Sequence, residues 1–140
     1  MTHLVVDASV AIKWLLPEIH AEAARRVLSE DFTLLAPDLI WAEVGNALWK
    51  QWRRGQMAGE VMQGLLQDFQ RAPLEISSSG SLVTVACDLA RRFERSFYDS
   101  LYLALARHRA CPVVTADRKL FNSLKGDPHA PSLMWVEDIP

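Results

Sequence analysis

A chain of 140 residues, half of them hydrophobic, is long enough for one compact core and short for two, so a single domain over residues 1–140 is expected. No apolar run approaches the roughly 20 residues that span a bilayer, and the opening MTHLVVDASV lacks a basic segment followed by an apolar stretch and a cleavage site. This points away from the membrane and toward the cytoplasm, and the formal net charge of −2 argues against holding nucleic acid by bulk attraction alone.

In chain order, residues 3–6 form a β-rich run that ends at Asp7, and ASVAIKWLL follows with helical spacing up to a stop at Pro17. A second helix is predicted over residues 18–29, a short strand over 32–36, and a long helix over 37–54 with Pro37 in its first turn and Gly55 beyond its end. Another helix fits residues 58–71, a strand 74–76, a polar connection 77–81, and helices 82–93 and 98–109. The chain closes with a strand over 112–115, a helical turn or two over 117–124, a Pro- and Gly-containing loop over 125–132, and a last strand over 133–136. Strands alternate with helices and no hairpin dipeptide joins neighbouring strands. The economical fold is α/β, a mostly parallel sheet with helices on both faces.

In such sheets the functional crevice lies beyond the carboxyl ends of the strands, and Asp7 follows the first strand as Asp117 follows the fourth. Each also suits a helix N-cap. Asp99 has the same ambiguity, because Ser96, Phe97, Tyr98 and Asp99 form an S-x-x-D capping pattern. Glu43 lies mid-helix with Leu39, Ile40, Asn46 and Ala47 three and four residues away, so no local cation pairs with it. At 100° per residue Glu43, Asn46, Lys50, Arg53 and Arg54 share one side of that helix, opposite a stripe of Trp41, Gly45, Leu48 and Trp52. Taken alone the acid-and-base side reads as an ordinary solvated face, and the case for a site rests on its occurrence together with the other acids.

The bases cluster: Lys50, Arg53 and Arg54; Arg91, Arg92 and Arg95; Arg107 and Arg109; Arg118 and Lys119. The first three groups lie near helix ends, where the macrodipole favours cations as readily as a phosphate would. Cys87 and Cys111 stand outside any C-x-x-C or Cys/His cluster and are expected to be reduced core thiols.

Four carboxylates in one site would repel and take up protons unless a cation joined them. Oxygen ligands select a hard ion, so Mg2+ or Mn2+ is expected; His3, His20, His108 and His129 are scattered without zinc-ligand spacing, and no calcium loop occurs. Such an ion would lower the pKa of a water and neutralise charge on a phosphate, which makes the expected reaction phosphodiester hydrolysis.

The motifs D-A-S-V at residues 7–10, E-V-G-N-A-L at 43–48, Y-D-S-L-Y-L-A-L-A at 98–106 and T-A-D at 115–117 resemble the PIN-domain nucleases, and in particular the VapC-type toxins of bacterial toxin–antitoxin pairs. Four motifs in this order extend over nearly the whole chain. The resemblance implies a PIN-like fold with a five-stranded parallel sheet. It also implies an acidic pocket in which Asp7, Glu43, Asp99 and Asp117 hold one or two Mg2+ or Mn2+ ions, Asp7 and Asp99 directly, Glu43 and Asp117 directly or through water. Ser9, Asn46 and Thr115 match positions that support the pocket or the phosphate. The implied activity is endonucleolytic hydrolysis of RNA by an activated water, leaving a 3′-hydroxyl and a 5′-phosphate.

The implied partners are a small VapB-like antitoxin, whose C-terminal segment crosses a groove near helices 37–54 and 58–71, and a second copy of the chain in a homodimer. Trp49 suits such an interface, whereas Trp41 and Trp52 are expected in the core because they share the Leu48 stripe. Ser100 stands where relatives often carry Ala, and R-R-F-E-R-S-F before Tyr98 lacks a small polar run, departures that bear on substrate preference rather than on the acids. Other phosphohydrolase classes fit poorly: Ser9 occupies the place of the second acid in a D-x-D pair, and G-x-G-x-x-G and G-x-x-x-x-G-K-[ST] are both absent. The alternative from a different class is a catalytically silent PIN-like module that binds RNA or protein.

Overall fold

The structure, a computed structural model, describes residues 2–140. Five parallel strands, β1 (Thr2–Val6), β2 (Phe32–Pro37), β3 (Leu74–Ser77), β4 (Val113–Thr115) and β5 (Leu133–Trp135), form one sheet in the order β3-β2-β1-β4-β5. The chain winds outward from β1 through β2 to β3, then returns to the other side of β1 to add β4 and β5. β1 and β4 therefore flank the switch point of the sheet, pairing Val5 with Val113 and Val6 with Val114.

Leu4, Val5 and Val6 point alternately to opposite faces, and all three are fully buried, so both faces of the central strand are covered. The covering helices are α1 (Ala8–Ala11), α2 (Ala21–Arg25), α3 (Leu39–Arg53), α4 (Gly59–Gln70), α5 (Val83–Phe93), α6 (Phe97–Arg109) and α7 (Arg118–Leu124). α6 is the most enclosed: every residue from Ser100 to Ala106 is buried, and the helix packs on β1, β2, β4 and α5.

Several boundaries differ from the sequence expectation for local reasons. α1 tightens into a 3-10 turn at Ile12–Trp14 before Pro17. The second helix begins only at Ala21, because His20 takes a left-handed conformation (φ 68°) and its ring binds Glu137 at 2.7 Å. Pro37 closes β2 instead of opening α3, in register with Ser77, and the Asp38 N–H then donates to the Ser77 carbonyl at 2.8 Å. The polar connection after β3 winds into a 3-10 turn at Ser79–Leu82, and a further one at Val136–Asp138 follows β5.

The apolar stripe that α3 sends into the core is Ile40, Val44 and Leu48, all fully buried. Trp41 and Trp52 do not join it: they are 36% and 45% exposed, close to Trp49 at 44%, which corrects their expected place in the core. The reason is a neighbouring helix. Their side of α3 turns toward α4, where a Cβ on Gly45 would meet Leu66 at 3.9 Å and Trp41 stacks edge-on against Phe69 with centroids 5.1 Å apart. Both cysteines are free, but Cys87 is exposed on α5 rather than in the core; Cys111 is half-buried, and burial pushes its thiol up from the ordinary value. No helix among the described residues is long and apolar enough to cross a membrane.

Candidate active site

Asp7, Glu43, Asp99 and Asp117 come from four different elements and line one cavity of about 490 Å³ at the carboxyl edge of the sheet. Ser9 and Asn46 line it too, as do Lys13, Glu18, Lys50, Gln51 and Arg54. Thr115 lies just beneath, fully buried.

Asp7 occupies the position before α1 but makes no side-chain cap bond there. Its Oδ2 instead accepts from Ser9 Oγ at 2.7 Å and from Thr115 Oγ1 at 2.8 Å. Each hydroxyl in turn accepts a backbone N–H from the turn after β4, Ser9 from Ala116 at 2.9 Å and Thr115 from Asp117 at 3.0 Å. The D-x-S and T-A-D motifs are thus two halves of one network, in which backbone donors orient the hydroxyls and the hydroxyls orient the carboxylate. Oδ1 carries no hydrogen bond among the described residues. Burial pushes the Asp7 carboxyl up to about 6; Ser9 and Thr115 pull it down, and the charges of Asp99 and Glu43 push it up further.

Asp117 caps α7 as expected, its Oδ1 accepting from Lys119 N–H at 3.0 Å and Leu120 N–H at 3.3 Å, and it lines the cavity as well. Capping and pocket lining are compatible for this residue. At α6 the cap is Ser96, whose hydroxyl accepts from Asp99 N–H at 3.0 Å, and the helix start aims the half-buried Asp99 carboxyl into the cavity. Burial, then the charge of Asp117, raise the pKa of Asp99, while Arg95 and the Ser96 hydroxyl lower it. Glu43 is half-buried on α3; desolvation raises its pKa, and Asp99 adds to the effect.

Two contributors lay outside the sequence reading. Tyr102, 1% exposed, donates its hydroxyl to Glu43 Oε1 at 2.8 Å and ties α6 to α3. It sits three residues after Asp99, on the same face of α6, which is the signal that could have found it. Lys13 is buried on the turn after α1, four residues from Ser9, and its Nζ donates to Glu18 Oε1 at 3.2 Å. Ser100 is fully buried, and its hydroxyl has no partner among the described residues.

The arrangement sets four carboxylates, three of them with raised pKa values, around a cavity that Lys13, Lys50 and Arg54 also line. Among the described residues no three carboxylate, imidazole or thiol side chains are grouped tightly enough to hold an ion as they stand.

Residues 4–126 match the PIN domain family. Ribonuclease VapC3 of Pyrobaculum aerophilum is 35% identical over 120 residues, which cover 84% of this chain and 91% of that protein. Among solved structures, PAE2754 from Pyrobaculum aerophilum superposes with a TM-score of 0.72 at 24% identity, over 97% of this chain and 85% of that one. VapBC2 from Rickettsia felis, bound to a DNA fragment from its promoter, gives 0.69 at 17% identity, over 96% and 98%. These structures share the fold, while the curated relative and the family match reach the sequence itself. The chain belongs to the PIN domain family, and within it to the VapC-type ribonucleases.

Proposed function

We propose that the chain, read as one PIN-like domain, is a metal-dependent endoribonuclease that hydrolyses RNA phosphodiester bonds at this cavity, as the toxin of a toxin–antitoxin pair. The observation that supports this most is the convergence of Asp7, Glu43, Asp99 and Asp117, from four elements, on one cavity at the switch point of the sheet.

The donor set suits magnesium or manganese. It is all oxygen, its members raise one another's pKa, and Oδ1 of Asp7 is left without a hydrogen bond. Asp7 and Asp99 would hold one or two ions directly, with Glu43 and Asp117 completing the set directly or through water. When bound, such an ion supplies a lowered pKa for water and charge neutralisation for the phosphate.

The chain's own side chains set the geometry for this chemistry. Ser9 and Thr115 fix Asp7 through Oδ2, Tyr102 fixes Glu43, and Asn46 offers an amide to the phosphate or a neighbouring group. Attack of water on phosphorus, with departure of the 3′ oxygen, leaves a 3′-hydroxyl and a 5′-phosphate.

A small antitoxin as partner is supported by a structural neighbour described as a toxin–antitoxin complex from Klebsiella pneumoniae. On this chain the exposed Trp41, Trp49 and Trp52 of α3 and Val61 of α4 offer apolar surface for the antitoxin or for a second copy in a homodimer. The test is sequencing of RNA 5′ ends after brief induction of the chain, or of its Asp7→Asn variant, in a bacterial host. Discrete new ends with the unaltered chain alone are expected; identical profiles would favour a silent module.

A further inference from the structure

The cavity that gathers the acids has a second, basic wall. Asn46, Lys50 and Arg54 follow at four-residue spacing along α3, and Lys13 reaches the same space from the turn after α1. Lys50 and Arg54 are exposed, whereas Lys13 is only 8% exposed. An enclosed ammonium is costly unless it is paired. An ammonium has three donors; among the described residues Lys13 gives one of them to Glu18, and the side chain also lines the cavity. Among the described residues the ion pair that Lys13 makes is with Glu18, at 3.2 Å.

We propose that Lys13, Lys50 and Arg54 form a subsite for the phosphate next to the scissile one in an RNA strand, with Glu18 occupying Lys13 until that phosphate arrives. The proposal rests on the ribonuclease reading and adds to it how the strand is held. A strand lying across the acids brings at least one further phosphate with it. That phosphate cannot be met by carboxylates, and it is the chemistry that a guanidinium and two ammonium groups select. Glu18 is the natural stand-in: its side chain is 39% exposed on the segment between α1 and α2, and an anionic oxygen at 3.2 Å from Nζ holds the place of a phosphate oxygen.

The test is the affinity of a short fluorescein-labelled single-stranded RNA, measured with magnesium across a salt series, in the full chain carrying Asp7→Asn so that the strand is not cut. Adding Lys13→Met, which keeps the aliphatic stem, should weaken binding about tenfold and make the log–log salt slope shallower by about 0.7. Lys50→Met on the exposed face should give the same change of slope, so the outcome does not depend on whether a buried substitution folds. Glu18→Gln should tighten binding severalfold. Unchanged slopes in both lysine variants, with normal binding by the parent, would overturn the subsite alone. No RNA binding by the parent would overturn the ribonuclease reading and the subsite with it.

Discussion

Asp7 carries the largest electrostatic strain among the four acids, and its sign makes a prediction. Its carboxyl titrates near 6 in the fold against 3.8 when solvated, mainly because it is buried. The native state therefore keeps its proton to higher pH than the unfolded chain does. That contribution to stability is complete below about pH 4 and is lost as pH rises through about 6. At neutral pH the metal-free protein holds an ionised Asp7 at a cost of roughly 3 kcal/mol. Asp7→Asn retains an oxygen to accept from Ser9 and Thr115. It should raise the metal-free stability at neutral pH by up to that amount and flatten the slope between about pH 4 and 6, measured by urea unfolding in chelator. Tyr102 gives a second prediction at this scale. Tyr102→Phe removes only the hydroxyl bonded to Glu43 and keeps the ring in the core. Cleavage should fall about tenfold while the melting temperature moves by a few degrees, read by RNA turnover and thermal unfolding side by side.

Helix N-termini deliver three of the four acids, Asp7, Asp99 and Asp117, while Glu43 comes from within α3. Asp117 both caps α7 and faces the cavity, so its two substitutions separate the roles. Asp117→Asn keeps a side-chain oxygen for Lys119 and Leu120 and should preserve stability while lowering activity. Asp117→Ala should in addition lose about 1 kcal/mol of stability, seen in denaturant unfolding. The same termini explain what could be read in the sequence. Asp7 and Asp117 were legible because each ends a strand beside the switch point, and Glu43 because nothing near it on α3 could pair with its charge. Tyr102 and Lys13 were not, because their partners Glu43 and Glu18 meet them only through the packing of α6 on α3 and the 3-10 turn after α1. Trp41 and Trp52 were misread for a related reason. A helical wheel gives the apolar stripe of α3, but not that α4 rather than the sheet lies against the side bearing the tryptophans.

At the level of the whole molecule, a sheet ordered β3-β2-β1-β4-β5 leaves a crevice between β1 and β4, and helices α3 and α6 each add one acid to it from outside the sheet. The fold thereby gathers four carboxylates at one edge, beside Lys13, Lys50 and Arg54, and the proposed function adds a bound cation to offset their charge. The measurement that tests this most directly is cleavage of RNA by the purified protein with magnesium or manganese, in chelator, and with Asp99→Asn, with the product ends identified chemically. Cleavage that needs the metal and Asp99, and that yields 5′-phosphate and 3′-hydroxyl ends, is the predicted result. Cleavage that persists in chelator, or that yields 2′,3′-cyclic phosphate ends, would contradict it.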